Sequence, residues 1–328
     1  MLYNPILRSL RIAASLTSCF TMSKKGSAAA LTPSRKASSG GSPNEKSGST
    51  TEATDVSHTG VVLPAEGPGL HHFDKNVLST VDSVIINRWT CRNFDETRSV
   101  DENLIRRLLN TTMRAPTGFN LQPWHAIVVQ DAERRKALCT AALGQPQIQK
   151  APLSIVFVGD MEAERNAPQV LEMGLENGYL TEAYAPLFLR NVYYFLHGGP
   201  LQAMALTKSV LSSCYSKFTG TPLLSVPVSM KSYAWKQTMI PVTTFVHLCT
   251  AAGLNTCIME GMDEEAVKKV VGLSGRYTVP VIVSVGYAAP PPVEESSESG
   301  GEAAPSKKQK LAWSPRFAFD HVIRWEKF

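Results

Sequence analysis

The segment from Ala115 to Val129, APTGFNLQPWHAIVV, begins as a polar turn and ends as an apolar strand. Its polar and anchoring residues are Thr117, Gly118, Asn120, Gln122 and Trp124. The hydroxyl and the amides supply hydrogen-bond donors and acceptors, the glycine permits close backbone approach, and the indole can anchor the turn in the core. Such a turn suits the polar edge of a planar heterocycle, and a plain capping turn between a helix and a strand is the alternative interpretation.

A second group of residues is RWTCR, from Arg88 to Arg92. Side chains alternate along an extended segment, so Arg88, Thr90 and Arg92 are predicted to project from one side. Two guanidinium groups beside a hydroxyl suit a phosphate or another anionic oxygen cluster, because arginine binds paired oxygens in a bidentate manner. Taken alone, the same row also fits a solvated surface strip.

The sequence lacks the motifs of several functional classes. Neither a phosphate-binding P-loop nor a dinucleotide-binding glycine pattern occurs, and no G-x-S-x-G elbow is present. The six cysteines are scattered without C-x-x-C spacing, so we predict no metal site and a reducing compartment. The net charge of +5 is modest, and no run of about 18 apolar residues exists, so we expect neither nucleic-acid binding nor a membrane span.

Composition divides the 328 residues into one large globular domain with appendages, since 43% are hydrophobic and 19% charged. Residues 1–25 carry Arg8 and Arg11 among Leu, Ile, Ala and Ser without an acidic residue, which predicts a mitochondrial transit peptide and mitochondrial localisation. An ordinary tail with Met22 as an alternative start is the other interpretation. Residues 26–70 read as a disordered linker, residues 71–328 as the folded domain, and residues 290–310 as a low-complexity insertion within it.

Hydrophobic periodicity predicts strands and helices that alternate on one sheet, hence an α/β or α+β domain. A helix is predicted over 76–89, and a second one is predicted to be capped by Ser99 with Glu102 and ended by Pro116. The predicted strands are 125–129, 153–159, 255–259, 279–287 and a final one over 318–328. Further helices are predicted over 238–252 and 263–273, with Gly253 and Gly272 after their last turns.

Residues 169–215 are predicted to be helical and are rich in aromatic side chains. The aromatic residues include Tyr179, Tyr184, Phe188, Tyr193, Tyr194 and Phe195. Aromatic side chains at helical spacing usually belong to a core, but a lid over a planar ligand has the same composition. The sequence alone does not decide between a core and a lid.

Five pieces in order resemble the nitroreductase family of FMN-dependent oxidoreductases. They are RWTCRNF, APTGFNLQPWHAIVV, GLNTCIMEGMDEEAVKKVVGL, VPVIVSVGY and the tail with Arg316 and VIRWE. As a whole, the sequence looks most like the mitochondrial type I, oxygen-insensitive nitroreductases of eukaryotes. The resemblance implies an α+β fold with a central mixed, mainly antiparallel sheet flanked by helices, in a homodimer with an exchanged C-terminal segment.

The resemblance also implies two FMN molecules at the dimer interface. The residues matching the first FMN-binding motif are Arg88, Trp89, Thr90 and Arg92. The residues matching the second motif, part of which serves the FMN of the other subunit, are Pro116, Thr117, Gly118, Asn120 and Gln122. The turn against which the flavin stacks is matched by Met259, Glu260 and Gly261. Arg316 matches a phosphate-binding arginine, although Ser314 stands where a lysine is common, and Arg92 and Glu260 are the implied catalytic residues.

The implied reaction is a ping-pong transfer in which NADH or NADPH reduces the flavin and nitro compounds or quinones reoxidise it. Arg92 would stabilise negative charge that grows at the flavin N1 and O2 during reduction. Tyr179, Tyr184, Tyr194 and Phe195 are candidates for the substrate-side wall. The alternatives are a narrow-specificity quinone reductase or dehalogenase of the same family, and a non-catalytic FMN-binding interaction module.

Overall fold

A computed structural model of the protein describes residues 55–56, 62–63, 74–199, 203–223, 225–290 and 314–328, all within the unit Ala53–Phe328. The predicted transit peptide and residues 291–310 of the predicted insertion lie outside these ranges. In the predicted linker the described residues form a two-stranded antiparallel pair, β1 (Asp55–Val56) and β2 (Val62–Leu63). The transit-peptide, linker and insertion assignments stay predictions.

The central sheet has four strands, namely β3 (Trp124–Val129), β4 (Leu153–Asp160), β5 (Asn255–Met259) and β6 (Tyr277–Gly286). Their order is β3-β4-β6-β5, and every neighbouring pair is antiparallel. A parallel bridge between Thr90 and Thr256 adds the segment after the first helix to the outer side of β5. The sheet is therefore mixed and mainly antiparallel, and the predicted α+β class is confirmed.

The described residues form ten α-helices. They are α1 (Lys75–Asn87), α2 (Glu102–Thr112), α3 (Ala132–Ala141), α4 (Gln147–Lys150), α5 (Ala167–Glu176), α6 (Ala185–Leu196), α7 (Ala203–Thr219), α8 (Met230–Ala251), α9 (Glu264–Val271) and α10 (Phe319–Val322). None of the described helices is both long and apolar enough to cross a membrane.

Both faces of the sheet are covered, so β4 is buried along its whole length. Its alternate side chains enter two separate clusters: Val156 and Val158 pack with residues of α3, α4 and α9, and Ile155 and Phe157 pack with residues of α2 and α8. We call these the α3 cluster and the α8 cluster. The continuous apolar run LSIVFVG is explained by this burial on both sides.

The aromatic helical region forms a third buried cluster, in which α5, α6 and the start of α8 meet. Phe188 is buried there, and Phe195 packs against the same cluster. Tyr179 is 72% exposed, and Tyr184 and Tyr193 are also exposed. The core interpretation therefore holds for part of the region, and the tyrosines remain available to contact a ligand or a partner.

Three predicted element ends differ from the structure. Asp101, rather than Ser99, caps α2, because its carboxylate accepts a hydrogen bond from the Asn103 backbone N at 3.0 Å. Helix α2 ends at Thr112, before Pro116, and α8 starts at Met230 instead of 238 and contains Pro241. The caps of α9 are as predicted: Asp263 accepts from the Ala266 backbone N, and Gly272 is left-handed with φ 75°.

The predicted final strand over 318–328 is wrong. The described part of the tail contains the short helix α10, and no strand of the sheet lies beside it. Alternation of apolar and polar residues indicates a strand only where a neighbouring strand can accept its hydrogen bonds. The tail has no such neighbour among the described residues of its chain.

Gly159 marks a close approach between β4 and α8. A Cβ at this position would lie 2.9 Å from Thr238 Oγ1 and 3.1 Å from Ala234 Cβ. We expect Gly159→Ala to lower the free energy of unfolding by about 1–3 kcal/mol, because overpacking forces the helix away from the sheet. Urea unfolding measures the change, with Gly275→Ala as the control, since nothing lies within 4 Å of a Cβ there. Equal stability of the two variants would contradict this packing.

Candidate functional site

The segment 88–92 runs beside β5 because α1 ends at Asn87 and Arg88 already has extended backbone angles. The Cys91 backbone N donates to the Thr256 carbonyl oxygen at 2.9 Å, next to the parallel bridge formed by Thr90. Cys91 is completely buried in the α3 cluster, and Trp89 packs against it. The two inward side chains anchor this segment to the core.

The other side chains of the segment form an outward row. Arg88 and Thr90 are partly exposed, and Arg92 is exposed. Neither arginine has a hydrogen-bond or carboxylate partner among the residues that the structure describes. Burial raises the pKa of the Cys257 thiol, and the charge of Arg92 opposes that rise, so this guanidinium lies close to β5. Two unpaired guanidinium groups at one sheet edge are available to an anion.

The turn before β3 has unusual backbone geometry. Phe119, Asn120 and Gln122 have φ angles of 55°, 55° and 46°, in the left-handed region that non-glycine residues seldom adopt. Such conformations cost on the order of 1–3 kcal/mol each and cluster at functional sites. Inside the turn, the Thr117 carbonyl accepts from the Asn120 N at 2.9 Å, and its hydroxyl accepts from the Gln122 N at 2.9 Å.

Two residues far along the chain hold this strained turn. The Gly118 N donates to Gln237 Oε1 of α8 at 2.8 Å, and Asn166 Nδ2 donates to the Leu121 carbonyl oxygen at 2.9 Å. Gln237 is only 5% exposed. Neither residue was predicted, because a pattern of local periodicity does not indicate a partner that lies outside its own element. A buried glutamine in an otherwise apolar helix face was the one available signal.

Tyr233 of α8 lies behind the same turn. A Cβ at Gly118 would come within 2.8 Å of its hydroxyl oxygen, so only glycine fits there. The hydroxyl is buried and has no hydrogen-bond partner in the described part of the chain. Burial raises the pKa of Tyr233 to about 12, so this phenol stays protonated at neutral pH.

The turn after β5 is a third part of the candidate site. Met259 is buried at the end of the strand, and Glu260 and Gly261 are exposed. The backbone N–H groups of Glu260, Gly261 and Met262 have no hydrogen-bond acceptor within the described ranges. Three successive free N–H groups offer a donor set for an anionic or acceptor-rich ligand. No group of three or more metal-ligating side chains occurs among the described residues.

The sheet order determines which of these parts are neighbours. Segment 88–92 and the turn at Met259 both belong to the β5 edge, whereas the strained turn leads into β3 at the opposite edge. Strands lie about 4.8 Å apart, so β3 and β5 are separated by roughly 14 Å. Within one chain the structure thus brings the first and third predicted motifs together and leaves the second apart.

No described contact places Arg316 at either edge of the sheet. Its guanidinium donates to the carbonyl oxygens of Ser314 and Pro315. The hydrogen bonds and ring contacts of residues 314–328 are all internal to that segment in the described structure. The predicted phosphate contact of Arg316 stays a prediction.

The sequence profile described as the nitroreductase family matches residues 85–287, which is more than half of the chain. The chain belongs to the nitroreductase family. All predicted site residues of this nitroreductase-family protein except Arg316 fall within the matched range. The family assignment and the names of its relatives make the protein an oxidoreductase.

Individual relatives agree with the family. The nitroreductase-family chain is 29% identical over 191 residues to an NADH dehydrogenase of Thermus thermophilus, an alignment that covers 58% of this chain and 78% of the relative. A protein of Bacillus subtilis described as a nitroreductase has a similar fold, with a TM-score of 0.58, 17% identity, and coverage of 76% and 99%. A protein of Exiguobacterium sibiricum, solved in complex with FMN, has a TM-score of 0.51, 17% identity, and coverage of 78% and 99%.

Proposed function

We propose that this protein is an FMN-dependent NAD(P)H oxidoreductase that reduces nitroaromatic or nitroheterocyclic compounds and quinones by two-electron ping-pong transfer. The observation that carries the proposal is the meeting of two donor sets at the β5 edge. Unpaired Arg88 and Arg92 lie along the same sheet edge as the turn whose N–H groups from Glu260 to Met262 are free. FMN carries an anionic phosphate and a ring edge rich in acceptors, and these groups match the two donor sets.

The space at the turn also fits a planar ring. Gly261 is exposed, and among the described residues a Cβ built on it would meet Gln145 Nε2 alone, at 3.6 Å. A ring can therefore approach the backbone closely at this position. The same approach would bring it alongside the row that contains Thr90 and Arg92.

When bound, FMN supplies a hydride acceptor for the nicotinamide and an electron donor for the second substrate. Arg92 would stabilise the negative charge that reduction adds to the ring edge, and preorganised groups of this kind contribute several kcal/mol. The backbone N–H groups of Glu260, Gly261 and Met262 would donate to the ring acceptors. Trp89, held in the α3 cluster, fixes the segment that carries both arginines.

A homodimer belongs to the same proposal. The strained turn with Pro116, Thr117, Gly118, Asn120 and Gln122 lies at the edge opposite β5, roughly 14 Å away, and we infer that it contributes to the site of a second copy. Helix α1 has no buried residue, and its exposed apolar side chains include Val77 and Ile86, at 60% and 70% exposure. Such a surface is expected to be covered by a partner.

The first experiment is an absorbance spectrum of the purified full-length protein before and after anaerobic NADH. We expect flavin bands that bleach with NADH or NADPH and return when a nitroheterocycle or a benzoquinone is added. If the flavin bands return with the quinone and not with the nitroheterocycle, quinones alone are the substrates. A protein that cannot be loaded with FMN, or holds FMN that neither nicotinamide reduces, would overturn it.

We also propose the mitochondrial type of this family, on the basis of Arg8 and Arg11 in the acid-free segment 1–25. Fusion of this segment to a fluorescent protein should direct the fusion to mitochondria, and replacement of both arginines by glutamate should abolish import. A fusion that stays in the cytosol would contradict this localisation.

A further inference from the structure

We propose that Gln145 is a positioning residue for the flavin site: its side-chain amide fixes the peptide between Gly261 and Met262 so that the free Met262 N–H faces the ligand. This inference rests on the proposed function. Gln145 Nε2 donates to the Gly261 carbonyl oxygen at 2.7 Å, across 116 residues of sequence. It makes the one side-chain hydrogen bond to residues 260–262 among the described residues.

The turn is fixed at both ends, so its middle depends on this contact. Met259 is held in β5 and buried, and the Asp263 N donates to the Ala141 carbonyl oxygen of α3 at 2.9 Å. Asp263 also caps α9 through the Ala266 N. Between these points, Gly261 has no side chain to pack. Without Gln145, the Gly261 peptide could rotate about the backbone bonds on either side.

The loop that carries Gln145 is itself held in an uncommon conformation. Leu143 has φ 58° and Gly144 has φ 76°, and the Leu143 side chain is 74% exposed, so packing of that side chain does not explain its backbone. The Gln145 carbonyl oxygen accepts from Cys139 Sγ and from the Ile148 N, each at 3.2 Å. This bend is the left-handed C-cap of α3, in which the Gly144 N donates to the Cys139 carbonyl oxygen at 2.9 Å, and it places the Gln145 side chain within hydrogen-bond distance of the turn.

Peptide geometry links this contact to the donor set. A trans peptide is planar, and its N–H points opposite to its C=O. Since the Gly261 carbonyl points to Gln145, the Met262 N–H must point away from the loop. Gln145 therefore sets the direction of a free donor without offering that donor itself. Loss of the contact should weaken stabilisation of charge on the bound ring more than it weakens binding.

The test uses full-length holoprotein with Gln145→Ala and Gln145→Glu, and with Gln149→Ala as the control. Gln149 is an exposed glutamine on α4 whose described hydrogen bonds use only its backbone. The readouts are the midpoint potential of bound FMN, the rate of its reduction by NADH in a single turnover, and the FMN dissociation constant. We expect both Gln145 variants to have a more negative potential and about tenfold slower reduction, with a smaller change in the dissociation constant.

Gln145→Glu should have the larger effect, because its carboxylate places a second acceptor against the Gly261 carbonyl oxygen. Thermal unfolding of the apoproteins separates this effect from a loss of folding, and we expect similar midpoints for all three variants. An FMN-loaded Gln145→Ala protein with wild-type potential and reduction rate would overturn the positioning role alone. Wild-type protein without FMN would overturn the proposed function and this role with it.

Discussion

Replacement of Arg92 or Arg88 by alanine is expected to weaken FMN binding about ten- to a hundredfold while the fold is retained. Each guanidinium lies in the outward row beside β5 and has no competing carboxylate among the described residues. A charge-assisted hydrogen bond contributes about 1.5–3 kcal/mol, and about 1.4 kcal/mol corresponds to a tenfold change in affinity. Both side chains point away from the core, so their loss creates no cavity.

Fluorescence titration of apoprotein with FMN measures this change, and circular dichroism verifies the fold. Arg134→Ala is the matched control, because Arg134 is an exposed arginine of α3 whose described hydrogen bond uses only its backbone N. We expect Arg92→Ala to slow flavin reduction as well, since Arg92 is assigned to the ring edge. Full FMN occupancy in both the Arg88 and Arg92 variants would contradict the assignment of an anion site to the β5 edge.

Deletion of residues 314–328 is expected to convert the protein to a monomer and to lower its FMN content. The segment exposes Phe317, Phe319 and Trp325 at 75%, 61% and 80%, and its described hydrogen bonds and ring contacts are all internal. A segment with so much apolar surface and so few contacts to its own chain is expected to pack on a second copy. Burial of one large aromatic side chain contributes about 2 kcal/mol, so loss of three should raise the dimer dissociation constant more than a hundredfold.

Sedimentation at several protein concentrations measures the dimer equilibrium of the truncated and full-length proteins. Full-length Arg316→Ala is the control that separates a phosphate contact from apolar packing of the segment. That control should lose FMN affinity and remain dimeric, whereas the truncation should affect both properties. A truncated protein with an unchanged dimer equilibrium would contradict the exchanged segment.

Much of the fold followed from local patterns. The run LSIVFVG predicted a buried strand, and β4 is buried along its whole length. Asp263 and Gly272 marked both ends of α9, because a side-chain oxygen acceptor and a left-handed glycine act within a few residues of where they stand. The alternation of Arg88, Thr90 and Arg92 against Trp89 and Cys91 is also local, and the structure has it.

The tail shows where local patterns fail. Residues 318–328 alternate like a strand, but the structure has the short helix α10 there, and no strand of the described part of the chain lies beside it. The pattern records which side chains share a face and not which surface covers that face. A partner molecule, which the sequence pattern cannot specify, would provide that surface under the proposed homodimer.

The sequence by itself determined the position of several helices, four of the strands and the polar residue types of the site, because these depend on periodicity and capping over a few residues. The tertiary structure alone decided that Gln237 and Asn166 hold the strained turn and that Gln145 holds Gly261. It also decided that the turn before β3 lies at the edge opposite β5. Strand order and long-range hydrogen bonds depend on how whole elements pack, and no local pattern of residue types encodes that packing.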